Sequence, residues 1–333
     1  MKKQTLNWII KALLAGLLAF AILCGVCLGY FNLPVRVSNA DGATEYKYEA
    51  GRPYVRGIEG FGFGKLNNDG FNNLRDFTPG EEINVLLMGS SHMEGFCVPQ
   101  KNSAGAVLNR LFDGEKYVYN IGMAAHTFPY CAEHLDTALS VYAPTDAVVI
   151  ELAALSYDPA ALDAAADGTL PDMASHEGGF ITALQKLPYL RLFYTKYIKG
   201  EGKAAEAGSG AEVSNGDFEA SLSKLLQKVG ETGRAHRVSV ILAYTPTVLP
   251  RADGHAAVDE RPGEKEAFER LCAENGIIFL DLTERNIAAV EEEGRLPFGF
   301  ANTTPGTGHI NSLGLRIFAE GVYEQLTLGR ANG

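Results

Sequence analysis

The stretch from residue 83 to residue 95, INVLLMGSSHMEG, limits the fold more than any other part of the chain. Its four apolar residues, 85–88 (VLLM), are followed directly by a glycine, two serines and a histidine. A short apolar run without alternation is typical of a strand that is buried on both faces in a parallel sheet. The loop at the carboxyl end of such a strand is where α/β proteins usually place reactive groups. A serine in this turn is either the N-cap of a helix or, if a base reaches it, a nucleophile.

The same kind of apolar run recurs along the chain, with helical spacing of apolar residues between the runs. Strands alternating with helices predict an α/β fold, with three layers and a doubly wound, flavodoxin-like parallel sheet of five strands. The predicted strands are 84–90, 117–121, 147–152, 238–244 and 277–282, and the main predicted helices are about 103–112, 130–141, 218–231, 264–275 and 311–328.

The first 31 residues differ from the rest. Lys2 and Lys3 precede an apolar run at 8–31, which is interrupted only by Lys11. The run is long enough to span a bilayer and longer than the hydrophobic core of a signal peptide, and no convincing cleavage motif closes it. Three lysines near the amino end, against Arg36 alone just after the run, place the N-terminus in the cytoplasm. We therefore expect a single-pass signal anchor with an extracytoplasmic domain; a cleaved signal peptide is the alternative and gives the same compartment.

Composition changes divide the remainder of the chain. Residues 32–80 are rich in glycine and asparagine with scattered aromatic residues, and we interpret them as a stalk and a lead-in that packs on the edge of the domain. The α/β domain itself covers 81–333 and contains an insertion at about 153–215. Within the insertion, 180–198 has partly helical spacing and 200–216 is a predicted loop. An insertion of this size is typical of a lid, a partner surface or a specificity element.

Charge and cysteine content exclude some functions. The net charge of −11 makes nucleic acid an unsuitable partner. Outside the apolar run, the cysteines are Cys97, Cys131 and Cys272, and no two of them have metal-ligand spacing. We expect them to be buried as small apolar residues, with a Cys97–Cys131 disulfide as the alternative. No His-Glu-x-x-His or similar pattern is present, so neither a metal nor a cofactor is predicted.

Three of the predicted loops contain residues suited to serine chemistry. Such chemistry needs a nucleophile, a base within reach and hydrogen-bond donors for an oxyanion. Ser91 follows the first strand, Gly122 follows the second, and His309 lies in the loop before the last helix. In a doubly wound sheet these loops open at the same edge, so the three residues are predicted to lie close together.

In this order, the motifs resemble those of SGNH (GDSL-type) hydrolases over residues 83–328. The Gly-Ser-Ser-His sequence at 89–92 is similar to the Gly-Asp-Ser block of that family, and the resemblance implies that Ser91 is the nucleophile. The sequence GHINSLG at 308–314 resembles the last block of the family, which implies that His309 is the base. The resemblance implies the same α/β fold and hydrolysis or transfer of an acyl ester.

The remaining blocks match less well. Asn120-Ile121-Gly122 resembles the second block, which implies that the N–H groups of Gly122 and of the nucleophile bind the oxyanion, with Asn120 as a further candidate. The family's Gly-x-Asn-Asp block is absent, because the third strand continues as ELAAL from Glu151, and the usual aspartate before the histidine is Gly306. The resemblance therefore implies a Ser-His dyad. Glu151 is either an accessory acid or a hydrogen-bonded structural carboxylate.

The Gly-Ser-Ser-His form behind a membrane anchor also resembles the SGNH-like domains of envelope polysaccharide O-acyltransferases, including the alginate O-acetylation proteins. This resemblance implies that His92 contacts substrate or steadies its loop; a polar loop residue is the alternative. We predict a serine esterase or O-acyltransferase that acts outside the cytoplasm on acylated envelope carbohydrate or a small ester. A transferase would have a membrane-bound acyl-transfer partner, and residues 8–31 would contact the membrane.

The sequence has features of two other functions. A domain that binds glycan or a membrane partner without catalysis is favoured by the missing aspartate and asparagine, and is opposed by the retained serine, glycine and histidine. Nucleotide binding fits worst, because the sequence GSSHMEG is neither a dinucleotide fingerprint nor a P-loop.

Overall fold

A computed structural model of the chain describes residues 3–38, 46–171, 215–251, 253–258 and 263–328. The predicted helical stretch at 180–198 and nearly all of the predicted loop at 200–216 lie outside the described residues. In chain order, the described strands are β1 Phe31–Asn32, β2 Arg36–Ser38, β3 Tyr46–Tyr48, β4 Pro53–Arg56, β5 Gly62–Lys65, β6 Val85–Met88, β7 Val118–Asn120, β8 Ala147–Leu152, β9 Ser239–Tyr244, β10 Val248–Pro250, β11 Ala256–Val258 and β12 Ile278–Asp281. The described helices are α1 Lys3–Tyr30, α2 Ser91–Glu94, α3 Ala104–Leu111, α4 Phe128–Glu133, α5 Leu135–Tyr142, α6 Pro159–Asp167, α7 Asn215–His236, α8 Glu264–Glu274, α9 Thr283–Glu291 and α10 Ser312–Leu328, together with a 3₁₀ turn at Gln100–Asn102.

A five-stranded parallel sheet forms the centre of the protein, in the order β7-β6-β8-β9-β12. This is the flavodoxin-like order 2-1-3-4-5, so the predicted α/β fold is confirmed. β6 pairs with β7 on one side and β8 on the other: Leu87 is opposite Asn120 and opposite Val149. Because successive connections leave β6 in opposite directions, a crevice opens at its carboxyl end, next to the serine turn.

The apolar run of β6 is continuous because helices cover both faces of the sheet. Leu86 and Met88 lie in a core cluster on one face, and Val85 and Leu87 lie in a second cluster on the other face. All four side chains are buried. Strand side chains alternate between faces, so a strand buried on both sides needs apolar residues at every position.

The three described cysteines, Cys97, Cys131 and Cys272, are free and buried. The expectation that they serve as small apolar residues is confirmed, and a Cys97–Cys131 disulfide is excluded.

The lead-in before β6 forms a small antiparallel sheet in the order β1-β4-β5. Its glycines allow the β4–β5 hairpin to pack directly on the segment that follows α2. A Cβ on Gly62 would lie 1.9 Å from the carbonyl oxygen of Phe96, and one on Gly60 would lie 2.3 Å from that of Cys97. The glycines that weaken a strand pattern in the sequence are therefore the residues that permit this close approach.

Helix α1 contains an apolar window, Gln4–Leu23, that is long enough to cross a membrane and is not buried against the rest of the described protein. It suits a membrane anchor or a signal sequence. α1 continues without a gap into β1.

Candidate active site

The two serines after β6 have different positions. Ser90 is the N-cap of α2, and its hydroxyl accepts a hydrogen bond from the backbone N–H of His92 at 3.4 Å. Ser91 is the first residue of the helix. The turn requires Gly89, because a Cβ at that position would lie 2.6 Å from Cγ of Met93 and 2.8 Å from Cβ of Glu151. The N-cap and the candidate nucleophile are thus separate, adjacent residues.

The structure brings Ser91 and His309 together across 218 residues of sequence. Oγ of Ser91 lies 2.9 Å from Nε2 of His309, which is within hydrogen-bond distance. His309 is held by the loop around it: its carbonyl accepts from the N–H of Gly299 at 2.9 Å, and Phe298 forms an isolated antiparallel bridge with Ile310.

The other ring nitrogen of His309 contacts a carboxylate that the sequence analysis did not identify. Nδ1 of His309 lies 2.6 Å from Oε2 of Glu59, and the backbone N–H of His309 donates to Oε1 at 2.7 Å. Two contacts to one carboxylate fix the orientation of the imidazole and the identity of its protonated nitrogen. The expected Ser-His pair is therefore extended by an acid from the β4–β5 hairpin, and the arrangement is a Ser-His-Glu triad.

Glu59 is held in its ionised form. Burial alone would raise its pKa, but the side-chain and backbone hydrogen bonds from His309 outweigh it, with a further contribution from nearby positive charge. A guanidinium nitrogen of Arg56 lies 3.6 Å from Oε2. Together they lower the pKa of Glu59 to about 2, so the carboxylate is charged at neutral pH.

Asn302 and Gly308 keep Glu59 in place. The side-chain amide of Asn302 donates to the carbonyls of Gly57 at 3.0 Å and Gly60 at 3.1 Å, and its oxygen accepts from the N–H of Gly60 at 2.9 Å. Gly308 has φ +82°, and a Cβ there would lie 2.5 Å from Oε1 of Glu59. The hairpin is thus tied to the histidine loop, and that loop leaves room for the carboxylate.

Glu151 does not orient His309. Its Oε2 accepts from both the backbone N–H and the hydroxyl of Ser90, each at 3.0 Å, and its Oε1 lies 3.0 Å from Nδ1 of His92. Burial would raise the pKa of Glu151, but the bonds to His92 and Ser90 lower it below its ordinary value. Of its two expected roles, these contacts match that of a hydrogen-bonded structural carboxylate.

His92 lies in the wall of the site. Its ring is edge-on to that of His309, with the ring centroids 5.7 Å apart, and it also contacts Phe298 at 5.8 Å. Glu151 fixes one of its ring nitrogens. These contacts hold the His92 ring beside that of His309; its expected role in contacting substrate or steadying the loop stays a prediction.

The candidate oxyanion donors after β7 are already engaged within the protein. The N–H of Gly122 donates to Oδ1 of Asn120 at 2.9 Å, and Nδ2 of Asn120 donates to the carbonyl of Met93 at 2.8 Å. A Cβ on Gly122 would lie 2.4 Å from that of Met93. These hydrogen bonds and the close contact let the second loop lie directly against α2; the expected oxyanion role of Gly122 and Asn120 stays a prediction.

One further group of side chains has the spacing of a metal site. Ligand atoms of Glu59, Cys97 and His309 all lie within 4.8 Å of one another. Burial raises the pKa of Cys97 to about 12, so its thiol keeps its proton at neutral pH, whereas metal ligation requires a thiolate. Glu59 and His309 already use their facing atoms on each other. The absence of a metal and of a cofactor stays a prediction.

The sequence gives only a weak signal for Glu59. Between Arg56 and Lys65 it is the single charged residue, within the glycine- and aromatic-rich run GIEGFGFG. An acid in a loop of small residues is a reasonable candidate for a site. It precedes the first strand of the sheet, however, so sheet topology could not place it near His309.

Comparison with known proteins places the chain near a group of solved structures. No protein-family model and no curated protein matches the chain. The matching structures include one entitled TesA (17% identity, 74% of this chain and 98% of that chain, TM-score 0.41) and an acetyl xylan esterase, AlAXEase (13%, 73% and 99%, TM-score 0.43). Another, from Parabacteroides merdae, is described as a GDSL-like lipase (16% identity, 75% of this chain and 97% of that chain, TM-score 0.41).

Proposed function

We propose that this protein is a serine-dependent ester hydrolase or acyltransferase. The proposal rests on one observation: the chain of hydrogen bonds from Glu59 through His309 to Ser91 at the carboxyl edge of the sheet. Three side chains in this order can generate a serine nucleophile at neutral pH.

The geometry supports a two-step acyl transfer. Oγ of Ser91 attacks the ester carbonyl carbon while Nε2 of His309 takes the hydroxyl proton. The tetrahedral intermediate collapses, His309 returns the proton to the leaving alcohol, and the acyl group stays on Ser91. An acceptor hydroxyl then attacks the acyl-serine by the same route in reverse. Water as acceptor gives a hydrolase, and a sugar hydroxyl gives a transferase. Glu59 stays ionised throughout and stabilises the imidazolium.

Oxyanion stabilisation is the weaker part of the site. As the first residue of α2, Ser91 has a backbone N–H that needs no intrahelical partner, and we assign it as one donor. The N–H of Gly122 becomes a second donor only if Asn120 releases it. Loss of one oxyanion donor costs about two to three orders of magnitude in rate, so we expect a slow enzyme on simple esters.

The location and substrate are proposed from the amino-terminal segment. Lysines before the apolar helix favour a cytoplasmic N-terminus and an extracytoplasmic triad. Acylated carbohydrate of the envelope suits that compartment, and a membrane-bound partner could supply acyl groups for transfer. To separate the two reactions, p-nitrophenyl acetate turnover is compared with and without an oligosaccharide acceptor. Faster turnover together with acylated sugar indicates a transferase.

The nucleophile is tested with a fluorophosphonate probe on the full chain in detergent micelles. We expect the wild-type protein to be labelled, and labelling to be lost in Ser91→Ala and His309→Ala. Ser90→Ala is the matched control, because Ser90 neighbours the nucleophile but contacts Glu151, and it should still be labelled. An unlabelled wild type with a normal thermal unfolding transition, or equal labelling of Ser91→Ala, would overturn the proposal.

A second function, glycan or partner binding without catalysis, is favoured by the internal use of the Gly122 N–H. It predicts a folded, unlabelled wild type that binds an envelope oligosaccharide in titration calorimetry, with unchanged affinity in Ser91→Ala.

A further inference from the structure

The direction of the β4–β5 hairpin relative to helix α1 is fixed by strand pairing. Helix α1 ends at Tyr30, β1 begins at the next residue, and both contact β4. β1 pairs antiparallel with β4, with Phe31 opposite Arg56 and Asn32 opposite Val55. Since β1 leads away from α1, β4 runs back toward it. The loop after Arg56 therefore lies at the α1 end of the small sheet.

This direction limits the distance between the triad and the end of α1. Paired Cα atoms on antiparallel strands are about 5 Å apart. Glu59 is three positions after Arg56 in the sequence, and three residue steps reach at most about 11 Å. The Cα of Glu59 is therefore within roughly 16 Å of that of Phe31. Because Glu59 contacts His309 directly, the whole triad is near the end of α1.

Helix α1 has the length of a full bilayer. Its 28 residues extend about 42 Å. This length matches the thickness of a bilayer with its headgroup layers, which is about 40–45 Å. If α1 is an anchor, Tyr30 lies at headgroup level and the β4–β5 loop lies just above the lipid surface.

The hairpin presents apolar side chains to solvent around the triad acid. Ile58, Phe61 and Phe63 are exposed by 41%, 57% and 49%, and the two phenylalanine rings lie 5.9 Å apart. We call these residues the hairpin patch. Moving exposed aromatic and aliphatic side chains from water into the lipid interface lowers the free energy.

We infer that the hairpin patch is seated on the surface of the bilayer that α1 spans, and that the triad takes its ester from that surface. The substrate class is then an acyl ester held in the membrane, not a freely diffusing one. The statement about substrate rests on the proposed function, whereas the seating of the patch does not. Continuity with α1 identifies this bilayer as the partner.

Seating is tested by fluorescence in phosphatidylcholine vesicles that contain brominated lipid. The full chain has a single tryptophan, Trp8. In a Trp8→Phe background, Phe61→Trp reports on the patch and Leu328→Trp is the control. Leu328 is exposed at the far end of α10, which starts beside the histidine loop and extends about 25 Å over its 17 residues. We expect brominated lipid to reduce emission from Phe61→Trp by about half or more and that from Leu328→Trp hardly at all. Equal quenching of both, or of neither, would overturn the seating.

The substrate class is tested with two esters and the paired Phe61→Ser/Phe63→Ser variant in the same vesicles. We expect about a ten-fold loss on a long-chain p-nitrophenyl ester dissolved in the bilayer, and less than about a two-fold change on p-nitrophenyl acetate. Equal losses on both esters, or no loss on either, would overturn the inference about substrate. Failure of the proposed function is distinguishable, because then the wild type hydrolyses neither ester while the tryptophan signal still reports seating.

Discussion

Two acid–histidine pairs flank the serine turn, and they differ in where their residues come from. The inner pair, Glu151 and His92, joins β8 to α2, with a contact of 3.0 Å and side chains exposed by 1% and 13%. The outer pair, Glu59 and His309, joins the β4–β5 hairpin to the loop before α10, with a contact of 2.6 Å and exposures of 15% and 25%. A carboxylate–imidazole pair thus occurs once in the buried core and once at a partly exposed position.

The difference assigns separate tasks to the two pairs. The inner carboxylate also binds the backbone N–H and the hydroxyl of Ser90, so it fixes the conformation of the turn. The outer histidine contacts Ser91, and its side chain is 25% exposed. Under the proposed function, support of the turn and catalysis use adjacent serines, so substitutions in the two pairs should have different consequences.

The largest effect that separates the pairs is expected from Glu59→Gln. An amide in place of the carboxylate no longer stabilises the imidazolium or selects its tautomer, and activity should fall by about two to four orders of magnitude. The free energy of unfolding should fall by no more than about 1 kcal/mol, because the site is partly exposed. Initial rates on p-nitrophenyl acetate and thermal unfolding measure the two quantities. Activity within ten-fold of wild type would mean that Ser91 and His309 act without Glu59.

The second effect is expected from Glu151→Gln and is mainly on stability. The buried carboxylate accepts three hydrogen bonds, and breaking a buried charged network by changing one member costs about 3 kcal/mol. Fluorophosphonate labelling of Ser91, measured well below the lowered Tm, should persist within about ten-fold. A variant with wild-type Tm and no labelling would reverse the assignment and place the inner pair in catalysis.

Each pair can be predicted from the sequence only as far as its position depends on the topology of the parallel sheet. Glu151 lies near the end of β8 and Ser90 follows the neighbouring strand β6, so sheet topology alone brings them to one edge. Sheet topology also brings the loop of His309 to this edge, although His309 comes from the opposite end of the chain.

Glu59 lies on a hairpin added outside the parallel sheet, and its place depends on a glycine-lined contact with residues 96–98. No periodicity encodes such a contact. The packing of Gly122 against Met93 is hidden from the sequence for a related reason. A glycine in this loop serves either an exposed N–H or a close backbone approach, and both have the same sequence pattern.

A smaller effect should separate two glycines in the histidine loop. Gly306 and Gly308 both have positive φ, +80° and +82°, so an alanine is strained at either position by about 1 kcal/mol. A Cβ at Gly308 would also lie 2.5 Å from Oε1 of Glu59, whereas one at Gly306 would lie 3.1 Å from Leu249. We expect Gly308→Ala to lower ester turnover by about ten-fold or more, and Gly306→Ala by less than about three-fold. Similar losses in both variants would indicate loop strain and not displacement of the acid.

The smallest effect is a pH dependence that belongs to the outer pair alone. The pKa of Glu59 is about 2 in the folded protein and about 4.5 when it is unperturbed. A lowered pKa contributes stability that is fully present above pH 4.5 and is lost as the pH falls toward 2. Allowing for solvent screening, this contribution is on the order of 1 kcal/mol, or about 2 °C in Tm. The Tm difference between wild type and Glu59→Gln should therefore disappear as the pH falls from 4.5 to 2. Glu151 titrates in both proteins and cancels from the difference. A difference that is already lost by pH 5, or that persists at pH 2, would show that ionisation of Glu59 is not its source.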